Sequence, residues 1–558
     1  MAESPIERFL GGGWRGPLAA AIVAFLAVLP GLIAIPVLDR DEARFAQSTA
    51  QMLETGDPVS INLQDAPRSK KPVGIHWLQA LSVGTLSSVE ARQIWAYRIP
   101  SLLGAMVAAA ACAWGAAAFF GSTGGAVAGA LLGSSLILST EGFIAKTDAA
   151  LCGAVTLMMA ALARIYASSK DEAVARTGTR VVFWAAMAVS ILLKGPIGPM
   201  VAGLTLLALW AWDRKAEWMA SLGWTWGIAL ILLVVGPWAW AITVTTDGGF
   251  WTGAVMGDML SKIASGQESH GAPPGLHAAL SLLLLLPGTV LLPAGLVLGW
   301  KMRAETGVRF ALCWLAPAWL VFELTPTKLP HYTLPLYGAL AWLMAAALQQ
   351  PIGRISRIVG ASLGALAAVL LAAAGVVLAL RYGSSSSLGW AVAAAAALAG
   401  SLAAALVLIL FQRRSWIALG AMLGFGILGH DALAAGLAPT LSPLWLSQRT
   451  AAAVKRAGID PRNGTTPGPV SVAGYGEPSI VFLLGTRTEL GTGEVAAAAI
   501  SEGRPAVVEA HELKEFGEAL RAQEARAALV GEVRGIDYSK GKPVDLFLYR
   551  SLESGDPR

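Results

Sequence analysis

Asp39, Asp41 and Glu42 stand with Arg40 and Arg44 in the run LDRDEARF, three carboxylates and two guanidiniums within six positions. A carboxylate can take a proton from an attacking hydroxyl or steady a developing positive charge. Guanidiniums beside it can neutralise a departing anion. Further on, RSKKPVGIHW sets Arg68, Lys70 and Lys71 before Pro72. Lys146 and Asp148 lie in EGFIAKTDAAL, Lys194 in LLKGPIGP, and Glu323, Lys328, His331 and Tyr332 in VFELTPTKLPHYTLPLY. Such lysines suit a phosphate, and each Pro-rich turn equally suits plain chain reversal. Lys262 precedes GQESHGAPPG, where Glu268 and His270 stand two apart. That spacing fits either a hydrogen-bonded loop anchor or a metal pair, and zinc asks for more ligands than two. No cofactor is required by the pattern; a divalent cation is the one it leaves open.

The elements that must carry these residues lie in a membrane. The chain has 558 residues, 55% hydrophobic and only 14% charged, against roughly 25% charged in soluble chains. That excludes a disordered chain, a disulfide scaffold and an ordinary soluble enzyme. Cys112, Cys152 and Cys313 all fall inside apolar runs and read as small buried hydrophobes. The net charge of +5 belongs to loop lysines and arginines, and no nucleic-acid partner is expected. There is no P-loop and no dinucleotide-binding motif. Apolar runs near 17–38, 97–120, 124–140, 147–166, 181–195, 196–212, 220–244, 277–300, 307–324, 331–348, 357–380, 388–411 and 416–436 predict an α-helical polytopic bundle of about thirteen spans.

Arginines and lysines gather in alternate loops, among them Arg164 to Arg180, Arg214 with Lys215, Lys301 to Arg309, and Arg354 with Arg357. This charge pattern predicts a cytoplasmic N-terminus and a periplasmic C-terminus in a bacterial inner membrane. The residues singled out above then share the outer face. The expected division is a transmembrane domain over 1–437, with outer loops at 39–96 and 245–276, and a soluble periplasmic α/β domain over 438–558. Within 39–96, apolar spacing at Phe45, Met52 and Leu53 predicts a helix lying at the interface, with Asp41 at its N-terminus.

Together the stretches DEARFAQSTAQMLETGD, KKPVGIHWL, TDAAL, LLKGPIGP and TKLPHYTLPLY resemble the ArnT-like branch of the GT-C glycosyltransferases, in the family's order and over residues 15–350. That branch includes aminoarabinose transferases and relatives of protein O-mannosyltransferases. The resemblance implies transfer of a sugar from a polyprenyl-phosphate donor to an envelope acceptor, either lipid A or another glycolipid. Membrane lipids surround the bundle, and the prenyl chain needs a groove open to them. It implies Asp41, Glu42 and Asp148 as catalytic acids. Arg44, Lys71, Lys194, Lys262, Lys328, His331 and Tyr332 would bind donor phosphate and substrate. Transfer to a protein acceptor and a lipid-linked sugar flippase are the alternatives. One departure stands out. Aminoarabinose transferases tend to carry an aromatic and an acid before the KP lysine, where this chain has Ser69 and Lys70. A lysine there repels an amino sugar, which points to a neutral or acidic one.

Overall fold

The computed structural model describes residues 5–170, 176–254, 257, 271–411 and 416–552. Among the described residues, nine helices are long and apolar enough to cross a bilayer. A tenth appears if the bent pair Leu276–Leu284 and Gly288–Lys301 is one span. The expectation of about thirteen rests on unbroken hydropathy, which the fold divides differently. Ile94–Gly133 runs 40 residues and breaks at Gly121, whose φ of 72° suits glycine. It absorbs the runs expected at 97–120 and most of 124–140; the rest is the short helix Leu136–Gly142. The 277–300 run bends by 119°. The 331–348 run becomes a 3₁₀ turn, Pro330–Leu336, and a 12-residue helix, Tyr337–Leu348. That helix and Ile197–Asp213, at 17 residues, are short for a straight crossing.

Small residues bring two of the helices into close contact. A Cβ on Gly104 would lie 2.5 Å from the Cα of Ala150, and one on Gly153 2.6 Å from the Gly104 carbonyl oxygen. The helices Ile94–Gly133 and Asp148–Lys170 therefore pack backbone against backbone. Trp184, Trp314 and Trp342 fill the centre of the bundle. At the end away from the acidic loop, Asp213 accepts hydrogen bonds from Tyr166 Oη (2.6 Å), Lys170 Nζ (2.6 Å) and Arg309 Nη1 (2.5 Å). It so ties three helices together. Asp213→Ala is expected to cost about 2 kcal/mol, measured as earlier thermal unfolding in detergent.

Beyond Thr440 the chain forms an α/β unit. Its five strands lie in the order Glu489–Gly491, Ser471–Ala473, Ala506–Glu509, Lys542–Ser551, Ala527–Asp537. The first three are parallel and the last two antiparallel additions. Alternation along one strand explains its two cores: Val507 packs with Val472, Leu546 and Ile480, while Ala506 and Val508 face Ala496, Ile500 and Phe516. The amphipathic run ELKEFGEALRA forms the helix Leu513–Ala522, and PVDLFLYR lies within the strand Lys542–Ser551.

Candidate functional site

The acidic run folds as the helix Asp41–Thr55, with both first-turn carboxylates at its positive end. Gly56, at φ 68°, closes it by donating its N–H to the Met52 carbonyl. Glu42 is fully buried. Arg98 Nε donates to its Oε1 (2.8 Å) and Nη2 to its Oε2 (2.7 Å). The backbone N–H groups of Leu38 and Ala145 donate to the same carboxylate, each at 2.8 Å. Arg98 spends its remaining protons on the carbonyls of Leu32, Ile35 and Pro36, at the end of the first span. With both oxygens so engaged, Glu42 ties the start of the acidic helix to Arg98 and to the Leu38 and Ala145 backbone. Asp41 is different. Its side chain is half exposed and meets Arg44 at 3.6 Å.

Close by, five ionisable groups from three segments converge. Lys194 Nζ lies 2.5 Å from Asp148 Oδ1, and Lys146 Nζ lies 2.8 Å from Glu141 and 3.6 Å from Asp148. His331 stands 3.4 Å from Lys146 and 3.7 Å from each of the two carboxylates. Two ammonium ions balance two carboxylates, which makes so buried a cluster tolerable. Gly195 lets the chain turn sharply after Lys194, and Asp148 starts its own helix. Asp148 thus holds Lys146 and Lys194. Asp41 lies within electrostatic range of Lys146, and Lys71 within range of His331.

Glu141, Asp148 and His331 have ligand atoms within 4.8 Å of one another, a metal-like grouping. A dication entering there would sit beside the ammonium groups of Lys146 and Lys194, so these residues do not fit a metal. Lys262, Glu268 and His270 lie outside the described residues.

A cavity of about 270 Å³ opens on this cluster. Its lining combines Lys70, Lys71, Lys194, Asp148, His331 and Tyr332 with apolar side chains such as Leu151, Ile197, Met200, Phe250, Trp251 and Phe322. Lys194 sits 5.4 Å from the centre of the Tyr332 ring. The Lys70–Lys71 turn is steadied from behind by Arg68, stacked 4.7 Å over Phe45 of the acidic helix. Lys328 points elsewhere. Its ammonium donates to the carbonyls of Thr325 (2.6 Å) and Ala272 (3.0 Å), closing a helix end. Glu323 likewise accepts from the N–H groups of Gly275 and Ala278.

Sequence reasoning missed Arg98 and Glu141. The available signal was cost: a charge inside an apolar run needs a buried partner, and Arg98 sits in such a run.

The C-terminal unit rests on the acidic loop. Gln47 Nε2 donates to Thr486 Oγ1 (2.7 Å), Gln64 Nε2 donates to the Thr488 carbonyl (2.6 Å), and Tyr97 meets Phe482 edge to face.

No family model matches the chain. It is 26% identical over 340 residues to undecaprenyl phosphate-alpha-4-amino-4-deoxy-L-arabinose arabinosyl transferase 2 of Pseudomonas fluorescens, covering 60% of each protein. To the corresponding transferase of Pseudomonas aeruginosa it is 28% identical over 313 residues, 56% of this chain and 55% of that one. The match thus spans less than two thirds of these relatives' length. Among solved structures, ArnT from Cupriavidus metallidurans bound to undecaprenyl phosphate superposes with a TM-score of 0.74 at 19% identity, over 97% of this chain and 98% of that one. The oligosaccharyltransferase of Archaeoglobus fulgidus gives 0.51 at 11% identity, over 91% and 70%. At such identities the structural likeness carries the fold. In sequence over about three fifths of its length the chain is similar to these arabinosyl transferases, and in fold over nearly all of it to ArnT.

Proposed function

We propose that the chain is a membrane glycosyltransferase that moves a sugar from a polyprenyl-phosphate donor to an envelope glycolipid such as lipid A, on the periplasmic face. The observation that carries this reading is a cavity lined by Lys70, Lys71 and Lys194 together with many apolar side chains. That combination suits an amphiphile with a phosphate head. The relatives' names specify undecaprenyl phosphate, and the similar ArnT structure holds it.

The chemistry follows from the charges. The bond between anomeric carbon and phosphate oxygen breaks, and its electron pair leaves with the phosphate. Lys71 and Lys194 stabilise that departing charge. A hydroxyl acceptor gives its proton to Asp41. A phosphate acceptor needs no base, and Asp41 then steadies the positive sugar ring. Lys194→Ala is expected to weaken undecaprenyl phosphate binding about tenfold or more, read by titration of the purified chain.

The test is mass spectrometry of envelope lipids from cells with and without the gene. A sugar-sized mass that returns with the intact gene supports the reading and identifies the sugar. Unchanged lipids and glycans overturn it. The lysine at position 70 predicts that the sugar is neutral or acidic. Recovery of aminoarabinose alone would refute that part.

A further inference from the structure

Arg40 has a φ of 62° and a ψ of −113°. Gly195 takes nearly the same conformation, φ 60° and ψ −118°, and glycine does so freely. An arginine does so only where its surroundings hold it there.

The holding groups come from both sides. On the bundle side, Glu42 accepts from the Leu38 N–H, and the carbonyls of Leu38 and Arg40 receive the first helical N–H groups. On the other side, every contact comes from the C-terminal unit. The Asp39 N–H donates to Tyr538 Oη (2.6 Å), Ser479 Oγ donates to the Asp39 carboxylate, and Arg40 Nη2 donates to the Ser539 carbonyl (2.9 Å). Ser479 is in turn bonded to Ser447 (2.6 Å), which meets Tyr475 Oη at 2.8 Å. Asp41 is the next residue along.

Resting on the transferase reading above, we propose that the C-terminal domain is a positioning device for catalysis: Tyr538, Ser479 and the Ser539 carbonyl hold the Asp39–Arg40 turn so that Asp41 faces Lys146 of the buried ionic cluster. The domain's other contacts, through Gln47, Gln64 and Tyr97, keep it attached when this grip loosens.

The grip has a pH signature. Burial pushes the Asp39 carboxyl up to about 7, nearby Glu477 and Asp537 add to the rise, and the hydroxyls of Ser479 and Tyr538 oppose it. Tyr475, Lys540, Arg40 and Glu42 complete the charged and titratable surroundings of Asp39 and its partner Tyr538. A carboxyl whose value is raised by docking binds a proton on docking. The grip is therefore firmest below the ordinary carboxyl value of 3.8 and is lost as pH rises through about 7.

The experiment uses the full chain in nanodiscs, with undecaprenyl phosphate carrying the sugar that the mass-spectrometric test finds as donor and undecaprenyl phosphate itself as binding probe. The double variant Tyr538→Phe/Ser479→Ala is expected to lose about ten- to a hundredfold in kcat at unchanged probe affinity. Adding Arg40→Gly, which removes the strain, should return several-fold of that loss, an outcome that mere destabilisation would not produce. Parental kcat in the double variant, or a KM rise alone, overturns the proposal. So does the absence of rescue. Asp39→Asn provides a second check should the double variant fold poorly. Its alkaline limb near pH 7 should vanish, and an unmoved limb overturns the proposal. Full turnover in Asp41→Asn would instead overturn the role given to Asp41 in the transferase reading.

Discussion

Asp41→Asn is expected to lower turnover about 10²–10⁴-fold if the acceptor is a hydroxyl, while the chain folds and binds undecaprenyl phosphate as before. The reason is local. Asp41 is half exposed, and its contact with Arg44 is a loose 3.6 Å. Asparagine preserves its shape and removes the capacity to take a proton. Steady-state transfer and probe binding, measured on the same preparation, separate the two effects. Loss of binding together with turnover would place Asp41 in donor recognition. Full turnover would exclude a proton-transfer role. A phosphate acceptor predicts a smaller loss, because then only electrostatic support for the sugar ring is removed.

The second large effect concerns stability. Glu42→Ala should destabilise the chain by about 3–5 kcal/mol, because it leaves Arg98 buried and unpaired. Thermal unfolding and expression level would both report it. Replacing both partners, as in Glu42→Leu/Arg98→Met, often restores such a loss in other proteins. Here recovery should be incomplete. The N–H groups of Leu38 and Ala145 and the carbonyls of Leu32, Ile35 and Pro36 would all lose partners. A double variant as stable as the parent would refute that account.

The contrast between Asp41 and Glu42 shows what a sequence conceals. Both are acids at one helix start, and no spacing rule separates them. What separates them is Arg98, 56 residues away. The long apolar runs were legible because hydropathy is a sum over many residues. The bend at Leu286–Pro287 was not, since the composition on both sides of it is uniformly apolar. In the site, the turns carrying Lys71, Lys194, His331 and Tyr332 were readable as an outer cationic set, and they do line one cavity. Lys328, read from the same signal, turns its ammonium to backbone carbonyls, a choice set by the local turn. Glu141 had no local signature; its meaning comes from Lys146 and His331 packed against it.

Arg98 also bears on how the chain is made. The carbonyls of Leu32, Ile35 and Pro36 close the first span, yet the guanidinium that satisfies them belongs to the second long helix. During synthesis the first span therefore enters the bilayer with its far end unfinished. The intervening loop is made before Arg98 arrives. Its insertion then completes the first span and, through Glu42, secures the start of the acidic helix in the same event. Biogenesis of the site is thus tied to a single residue's delivery, and a nascent chain halted before Arg98 carries the acidic run with no anchor.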